Sequence, residues 1–510
     1  MAEVRLAELV AALSLGVDLG FGQPMEHVLR ECMIALRLAD RLGLEEAERS
    51  TVYYTALLVN VGCHADAHEQ AKWFGDDINL RSGKYDHDIR SIRAAATAMS
   101  LIGSGNPPLH RFRVGLEFAI SGHRDLDGMI ETHAALARGL AERLGLPQAV
   151  QAAVGSSYEQ WDGKGWPGDL AGEHIPVASR LSQFAEFVEV AHRLGGIGAA
   201  VALAERRAGS QFDPSLAETL RSEPEAILGE LDSAHTWSAV IDAEPTLRVT
   251  LSGGAFDQAL LAIADFVDLK SPYTLGHARA VAELAAATAT QLGLPEDEVS
   301  MLRRAGLVHD LGRLGVSNAI WDKPGPLGAG EWERVRLHPY LTERMLYQST
   351  ALAPLAEVAV QHRERLDGSG YPKGLSGGAI IRPARILGAV DAYQSMREPR
   401  PHRPALSPDK TAAELQADAR AGKLDAEAVA AVLVAAGHEV GRRREWPAGL
   451  TTREIDVLRL VARGLSSKQI ATQLVITPKT ARNHIEHIYT KIGASSRVAA
   501  SLFATEHGLL

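Results

Sequence analysis

The chain has few cysteines, no long apolar run and almost no alternating strand pattern, and so lacks the features typical of secreted, membrane-bound and β-rich proteins. It has only two cysteines, Cys32 and Cys63, too few for a disulfide framework, and they indicate reduced thiols in a cytoplasmic protein. No apolar run reaches the roughly 18 residues that a membrane-spanning helix needs. The N-terminal stretch has acidic residues within an apolar pattern, which is typical of an amphipathic helix and not of a signal peptide. We therefore expect neither disulfides nor a membrane partner.

Alternating strand patterns are almost absent as well. Alanine, leucine, arginine and glutamate dominate the composition, and all of them favour helices. A length of 510 residues allows roughly two to four domains, each with a sizeable core. The sequence therefore predicts an all-α protein.

Charge is distributed unevenly along the chain. The formal net charge is −10, yet residues 442–510 contain 11 Lys and Arg against 5 Asp and Glu. This end carries +6, which leaves the remainder near −16. A basic segment on an acidic body favours a polyanionic partner for that segment alone.

The sequence contains an internal repeat. Residues 5–62 align with 255–312 at a constant offset of 250, and residues 133–186 align with 338–391 at an offset of 205. The matched pairs are His27 with His277, Asp18 with Asp268, Gly62 with Gly312, His133 with His338, Gly165 with Gly370, Pro167 with Pro372 and Arg180 with Arg385. Such a pattern indicates one structural unit used twice.

The two copies differ at residue types that bind metals. The second copy has His309-Asp310 where the first has Val59-Asn60, and Asp391 where the first has Glu186. We interpret the second copy as a working site. The first copy is interpreted as a retired site, kept as a scaffold, a dimer surface or a ligand sensor.

The repeat defines a domain plan. The first copy spans 1–221, and a linker spans 222–250 with a short helix expected around residues 226–233. The second copy spans 251–436, a basic linker spans 437–449, and a compact terminal module spans 450–510.

An extra stretch interrupts the first copy over residues 63–125 and accounts for the change of offset. It is rich in histidine and aspartate, but we expect a solvated polar loop there and not a metal site. The residues concerned are His64, Asp66, His68, Asp76, Asp77, Asp86, His87 and Asp88.

Helical spacing places metal-binding residue types of the second copy on several helices. His277 lies at the start of one helix. A later helix, predicted over residues 298–314, contains His309 and Asp310. Adjacent helical residues point about 100° apart, so these two can reach one metal only at the edge of their shared face.

Further candidates lie on later helices. Pro339 is typical of a first helical turn, so His338 is expected at a helix N-terminus. His362 is expected to end a helix, and Asp391 to lie within a helix that Pro383 opens. Side chains from so many helices can converge only in the core of a bundle.

These residue types predict a divalent metal centre. Imidazole nitrogens and carboxylate oxygens suit Fe, Mn, Zn or Ni, and the sequence does not select among them. A carboxylate such as Asp310 can bridge two ions, and a bridged pair can clamp the oxygens of a phosphoryl group. We predict one or two ions in the second copy.

The second copy resembles the HD-GYP family of metal-dependent phosphodiesterases over about 180 residues. The resemblance rests on the strings TLGHARAVAELA, AGLVHDLGRLG, HRERLDGSGYPKGL and PARILGAVDAY. It implies hydrolysis of a cyclic dinucleotide, usually cyclic di-GMP. The implied ligands are His277, His309, Asp310 and Asp391 for a first metal, and His338 and His362, with Asp310 as bridge, for a second. The implied signature loop near the site comprises Asp367, Gly368, Gly370, Tyr371 and Pro372.

Three positions depart from the family pattern. Arg363 stands where the family has a second histidine, and Tyr273 where trinuclear members have a glutamate. Arg313 replaces a lysine and keeps a cation that can grip a phosphate. We predict Asp310 and Arg313 as catalytic residues, and Arg313, Arg363 and the signature loop as substrate-binding residues. Arg363 leaves three alternatives open: one metal, nucleotide binding without efficient turnover, or cleavage of a different phosphoester.

The terminal module has the start and stop signals of a helix-turn-helix. Thr452 is predicted to cap a first helix and Ser466 a second. Thr477 and Pro478 are predicted to start a third, as N-cap and first-turn proline. Its predicted buried stripe comprises Ala481, Ile485, Ile488 and Ile492, and its predicted exposed face comprises Lys479, Thr480, Arg482, Asn483 and His487.

A cationic, amide-bearing helix face suits the major groove of DNA. The module resembles the LuxR-type (GerE-like) DNA-binding domain over about 60 residues. The resemblance implies that Lys479, Thr480, Arg482 and Asn483 contact DNA, and that a fourth helix over residues 495–507 pairs subunits.

The leading hypothesis is a cytoplasmic, homodimeric transcriptional regulator. Its HD-GYP-like body would bind metal and sense or hydrolyse a nucleotide second messenger, and its terminal module would bind DNA. One alternative is a plain metal-dependent phosphodiesterase with a localising DNA module. The other is a catalytically inactive nucleotide-binding regulator.

Overall fold

The computed structural model describes residues 3–85, 99–104, 107–118, 129–231, 235–438, 447–474, 476–507 and 509. They belong to two compact units, Met1–His438 and Glu439–Leu510. The predicted all-α class is confirmed, since strand pairing in the described residues is limited to Val4–Arg5 with Thr250–Leu251 and isolated bridges.

The first half of the large unit is built from helices of very different length. Its α-helices are Leu6–Gly20, His27–Arg41, Glu46–Leu58, Ala67–Phe74, Asp77–Ser82, Pro108–Glu117, Met129–Arg143, Gln148–Gly155, Val177–Arg207, Pro214–Ser222, Pro224–Leu228 and Thr236–Asp242. Short 3-10 turns lie at Val61–His64, Gly83–Tyr85 and Gly172–His174.

The second half repeats this order without the extra stretch. Its α-helices are Gly253–Asp268, His277–Gln291, Glu296–Val308, Asn318–Trp321, Ala329–Leu346, Ala353–Val360, Arg382–Arg397, Pro408–Arg420 and Ala426–Ala435. Its 3-10 turns are Leu311–Gly315 and Gly377–Ala379.

Equivalent glycines make the same close contact in both copies. A Cβ at Gly62 would lie 2.1 Å from the carbonyl oxygen of His133, and a Cβ at Gly312 would lie 2.0 Å from that of His338. No side chain fits at such a distance, so glycine is the residue that lets the 3-10 turn touch the long helix. The offsets of 250 and 205 thus pair residues that pack alike.

The segment 222–250 is folded against the first copy. Two helices, Pro224–Leu228 and Thr236–Asp242, replace the single short helix expected around residues 226–233. Ile227 and Val240 are fully buried, and Glu244 accepts a hydrogen bond from the Tyr54 hydroxyl at 2.5 Å.

The extra stretch of the first copy is largely folded where it is described. The expectation of a solvated polar loop is wrong for Ala67–Phe74 and Asp77–Ser82, which are helices. The Trp73 side chain is buried. Asp77 is fully buried as well, and it can be because ionic partners surround its carboxylate. Asp86, His87 and Asp88 lie outside the described residues.

The helix Val177–Arg207 is long and apolar enough to cross a membrane by length and composition. Its backbone leaves helical geometry at Gly196, with φ 70° and ψ −173°. Its first part packs in the core of the unit, where Leu181, Phe184 and Val188 are fully buried.

The C-terminal unit contains four helices in its described residues: Thr452–Ala462, Ser467–Leu474, Pro478–Ile492 and Arg497–Glu506. They enclose a separate small core that includes Ile455, Leu458, Ile470, Ile488 and Ala500. This arrangement agrees with the predicted order of a helix-turn-helix followed by a fourth helix.

Candidate functional site

Six side chains converge in the core of the second copy. They are His277, His309, Asp310, His338, His362 and Asp391, and all are buried. Their ligand-type atoms form two overlapping groups with spacings suited to a metal ion, one of His277, His309 and Asp391 and the other of His309, Asp310 and His362. The structure therefore brings together every residue predicted as a metal ligand.

A break in the helix lets two adjacent residues point into one site. The predicted helix over residues 298–314 is wrong in its C-terminal part: the α-helix is Glu296–Val308, and a 3-10 turn follows at Leu311–Gly315. Asp310 has φ −108° and ψ 12°, which is outside α-helical geometry. This turn brings the Asp310 carboxylate beside the His309 ring, whereas a continuous helix would point them about 100° apart.

The prediction that His338 lies at a helix N-terminus is wrong. His338 lies inside the helix Ala329–Leu346. Pro339 is internal to that helix and has no amide to donate to the carbonyl of Val335. The Val335 carbonyl instead accepts a hydrogen bond from His338 Nδ1 at 2.6 Å. The proline thus orients the imidazole by freeing an acceptor.

Each histidine of the site is anchored through Nδ1. The Nδ1 of His309 donates to the Gly306 carbonyl at 2.7 Å, and that of His362 to the Ala359 carbonyl at 2.6 Å. The Nδ1 of His277 donates to Glu398 at 2.8 Å. This second-layer bond fixes the tautomer and turns Nε2 towards the site, as in many metal-bound histidines.

The two oxygens of Asp310 face different histidines. Oδ2 lies 3.6 Å from His309 Nε2 and 3.8 Å from His277 Nε2. Oδ1 lies 3.3 Å from His338 Nε2 and 3.6 Å from His362 Nε2. Asp391 completes the first side, with Oδ1 at 3.4 Å from His277 Nε2. These separations exceed ordinary hydrogen-bond lengths. The Asp310 carboxylate therefore lies between two sets of histidine nitrogens.

The donor set fits a divalent cation. The Nε2 atoms of His277, His309 and His338 are buried without a hydrogen-bond partner, as is Asp310 Oδ1. Such clustered, unsatisfied polar atoms are costly unless a ligand satisfies them. Their convergence on one point, with nitrogen and oxygen donors only, is the chemistry of an Fe, Mn, Zn or Ni site.

The protonation states of Asp310, Asp391 and His309 also suit a cation. Burial opposes ionisation of Asp310 and Asp391, but the neighbouring imidazoles with Arg313 and Arg363 outweigh it and hold the pKa of both carboxyls well below the usual range. Burial lowers the pKa of His309, so its ring is neutral and its lone pair is available.

Arg363 occupies the side of the site where a second ion would be expected. Its Nε donates to His362 Nε2 at 3.0 Å, and its Nη1 lies 3.1 Å from Asp391 Oδ2. Burial opposes its charge, but Asp391 outweighs that effect and raises the pKa of Arg363. The guanidinium therefore engages the His362 nitrogen that would otherwise face a metal.

Arg313 places a second cation at the site. Its Nη1 donates to Asp310 Oδ2 at 3.0 Å, and its guanidinium carbon lies 4.1 Å from the ring centroid of Trp321. Trp321 also packs edge-on against His338, with ring centroids 5.3 Å apart. Sequence reasoning missed both Trp321 and Glu398, because these contacts are tertiary and no motif marks them.

The signature loop lies beside the site, and its residues have different roles there. The ring of Tyr371 packs against His338 at 6.0 Å, and its amide donates to the Arg363 carbonyl at 3.2 Å. A Cβ at Gly370 would lie 2.3 Å from the Arg365 nitrogen, so the loop needs glycine there. Asp367 is exposed and accepts hydrogen bonds from Ser369 within the loop. Gly368 and Pro372 complete this loop.

A lysine stands in the equivalent site of the first copy. The Lys84 ammonium donates to Glu186 Oε1 at 2.7 Å and to Asn60 Oδ1 at 3.2 Å. The same Glu186 oxygen accepts from Tyr85 at 2.9 Å. Lys84 and Tyr85 come from the extra stretch, and their role was not visible in the sequence. His27 and His133 are likewise committed to acidic partners, Glu189 and Asp66.

The C-terminal unit exposes the predicted polar face of its third helix. Lys479, Thr480, Arg482, Asn483 and His487 are all exposed. Thr477 caps the third helix and Pro478 lies in its first turn, as predicted. The N-cap of the first helix is Thr451 and not Thr452. The cap falls one residue earlier because Thr451 forms a capping box with Glu454, three residues on.

The fold and the site define the class of protein. The HD domain family model matches residues 123–216 and 262–428, and the model of bacterial regulatory proteins of the luxR family matches residues 448–504. The chain belongs to the HD-domain family and ends in a LuxR-type helix-turn-helix domain, which confirms both resemblances.

Its relatives act on cyclic dinucleotides. The chain is 32% identical to the 3′3′-cGAMP-specific phosphodiesterase 3 of Vibrio cholerae over 423 residues, 81% of this chain and 90% of that protein. It is 33% identical over 244 residues to a cyclic di-GMP phosphodiesterase of Pseudomonas aeruginosa, 47% of this chain and 56% of that protein. The crystal structure of a cyclic GMP-AMP-specific phosphodiesterase from V. cholerae matches with a TM-score of 0.58 at 28% identity, covering 85% of this chain and 98% of that one.

The Lys84 contact leads to a stability prediction. Lys84→Ala leaves the buried Glu186 carboxylate without its cation, and breaking such a pair costs about 3–5 kcal/mol. We expect a clearly lower thermal unfolding midpoint of the full chain. Lys164→Ala is the matched control, since the Lys164 side chain is 70% exposed and its loss should change stability by less than about 0.5 kcal/mol. Equal midpoints for the two variants would show that the first copy does not depend on this cation.

Proposed function

We propose that the second copy is a phosphodiesterase centre that holds one divalent metal ion and cleaves a cyclic dinucleotide. The observation that carries this proposal is the convergence of anchored imidazoles, whose inward nitrogens lack partners in three cases, on two ionised carboxylates. His277, His309, Asp310 and Asp391 would hold the ion.

The residues around the ion would prepare the phosphodiester. A bound metal supplies Lewis acidity and an activated water. Arg313 and Arg363 carry fixed positive charge beside Asp310 and Asp391, so the site offers cations to an anionic phosphate. Tyr371 and the rest of the signature loop flank this position and would bound the substrate.

The substrate class is inferred from the relatives. Their names specify 3′3′-cGAMP and cyclic di-GMP, two cyclic dinucleotides that share the same phosphodiester ring. We propose a substrate of this class for this chain, with both molecules as the compounds to assay.

Asp310→Ala tests the metal centre. Removing the carboxylate that faces both sets of histidines should lower metal content and hydrolysis by more than about a hundredfold, since loss of even an outer partner of a ligand costs 10–100-fold. Metal is measured by elemental mass spectrometry and hydrolysis by chromatography of linear products.

Asp297→Ala is the matched control, because Asp297 is an exposed aspartate of the same copy. It should retain metal and turnover. Hydrolysis that survives Asp310→Ala would mean that the reaction takes place elsewhere in the chain.

Arg363→His tests the number of ions. The substitution removes a positive charge, frees His362 Nε2 and adds a nitrogen ligand. We expect metal content to rise from about one towards about two ions per chain. Arg363→Lys keeps the charge and should stay near one ion, so equal stoichiometry in the two variants would contradict the proposed role of Arg363.

The C-terminal unit is proposed to bind DNA as part of a regulator. The exposed face of Pro478–Ile492 combines Lys479, Arg482 and Asn483, a cationic and amide surface suited to phosphate and base edges. The fourth helix would pair two subunits on a palindromic site. Ligand or metal in the second copy would then bias one dimer geometry, which makes DNA binding depend on the nucleotide.

Arg482→Ala should weaken DNA binding and reduce its dependence on salt. Losing one phosphate or base contact is expected to lower the slope of log affinity against log salt by about one unit or to cost about 1–3 kcal/mol. Fluorescence anisotropy on a palindromic promoter fragment measures both quantities. Arg463→Ala changes an exposed arginine that directly follows the first helix of the unit; it is the control and should bind as the parent does.

A catalytically inactive nucleotide-binding regulator is the second candidate. The hydrogen bond from Arg363 to His362 favours it, because a guanidinium attracts phosphate without supplying a metal ligand. Tight binding of cyclic di-GMP or 3′3′-cGAMP without linear products would identify this alternative. If the chain shows no salt-sensitive DNA binding, either with or without nucleotide, the plain phosphodiesterase is the remaining alternative.

A further inference from the structure

The first copy touches the second copy beside the candidate metal centre. Asp77, in the extra stretch, is fully buried. Its Oδ1 accepts hydrogen bonds from the Ser317 hydroxyl at 2.6 Å and from the Asn318 amide at 2.8 Å. These two residues begin the short helix Asn318–Trp321 of the second copy. One carboxylate of the first copy thus fixes where that helix starts.

The Asp77 contact is supported by ionic partners from both copies. Asp77 Oδ2 accepts from Arg81 at 2.8 Å and lies 3.4 Å from the Lys270 ammonium. Burial opposes ionisation of Asp77, but Lys270 and Arg81 outweigh it and lower its pKa. Arg81 is itself tied to the Gly20 carbonyl at 2.8 Å. The Asp77 carboxylate is therefore charged and buried, and it is held by Arg81, by Lys270 and by the start of the helix Asn318–Trp321.

A second contact holds the other end of the same helix. His68 Nδ1 lies 2.9 Å from Asp322 Oδ2. Asp322 also accepts hydrogen bonds from Ser271 at 2.7 Å and from the Asn318 side chain at 2.7 Å. Both ends of the helix Asn318–Trp321 are therefore bonded to the extra stretch of the first copy.

This helix carries the aromatic wall of the metal centre. Its last residue, Trp321, stacks on Arg313 and packs against His338, and Arg313 bonds Asp310. A displacement of the helix would move Trp321 and release Arg313. Three successive contacts, with the helix between the first and the second, therefore join Asp77 to the carboxylate at the centre of the site.

The first copy also packs against the turn that carries Arg313. The helix Leu6–Gly20 packs on the 3-10 turn Leu311–Gly315, which contains Arg313. A Cβ at Gly16 would lie 2.9 Å from a Leu314 methyl carbon, and a Cβ at Gly315 would lie 3.0 Å from a Leu19 methyl carbon. Such spacing leaves no room for the turn to shift towards the first copy.

We propose that the retired first copy is a positioning element of the second copy's site. Asp77 and His68 act through the helix Asn318–Trp321 to hold Trp321 over Arg313, so that the guanidinium is directed at a phosphate. The inference rests on the proposed function only in the phosphate role of Arg313. Asp77 and His68 are positioning residues and touch neither substrate nor metal.

The test follows Trp321 directly in the full chain. The protein is labelled with 5-fluorotryptophan, and the 19F resonance of Trp321 is identified among the seven tryptophans by its loss in Trp321→Phe. Asp77→Asn keeps the size and one acceptor oxygen but removes the charge, and His68→Ala removes only the contact to Asp322. Both variants should shift or broaden the Trp321 resonance.

Arg143→Ala is the matched control. It removes another contact between the copies, the ion pair of Arg143 with Asp265 at 2.7 Å, which involves no residue of the metal centre. The Trp321 resonance should not change in this variant. If Asp77→Asn does not fold, His68→Ala alone decides, because the His68 side chain is partly exposed and its loss is mild.

Substrate affinity provides the second readout. With a misplaced Arg313, KM for cyclic di-GMP or 3′3′-cGAMP should rise about tenfold, the usual worth of one hydrogen bond to a charged group. Metal content should stay at the parent value, which a general loss of structure would not allow. An unchanged Trp321 resonance and KM in folded His68→Ala and Asp77→Asn would overturn the inference. If the parent cleaves neither dinucleotide, the proposed function fails, and the 19F result still decides the positioning role.

Discussion

Buried carboxylates that need a positive partner govern both copies of this protein. Asp310 and Asp391 are ionised in the core of the second copy, where isolated charge is very costly. Imidazoles, Arg313 and Arg363 surround them, and their remaining atoms face a point suited to a metal ion. The first copy meets the same constraint at Glu186 with an internal lysine. In the first copy, Lys84 thus supplies the positive charge, and Val59-Asn60 stand where the second copy has His309-Asp310.

Packing between the two copies gives the first copy a structural role. The extra stretch and the first helix of the first copy pack on the turn and the short helix that shape the second site. Strand residues 4–5 pair with 250–251, and the core is continuous across both copies. Packed cores transmit displacement, so the copies form one mechanical unit.

Sequence reasoning predicted which side chains converge better than it predicted the backbone that brings them together. The six candidate ligands that spacing and the family strings had marked do converge in the structure. Errors occurred where a local rule met a tertiary demand. Pro339 was placed in a first turn, but the long helix accepts it because His338 uses the freed carbonyl. The helix predicted through residue 314 ends at Val308, since the following turn must bring His309 and Asp310 together.

The sequence by itself determined the all-α class, the repeat, the candidate ligands and the terminal helix-turn-helix, because each of these is written in local periodicity, caps or residue type. Only the tertiary structure decided that Lys84 pairs with Glu186 in the first copy, that Arg363 engages His362 and that Asp77 bonds to the start of the helix Asn318–Trp321. Those contacts join residues far apart along the chain, and their energies depend on burial and on the distance between charges. Neither quantity exists until the helices have packed.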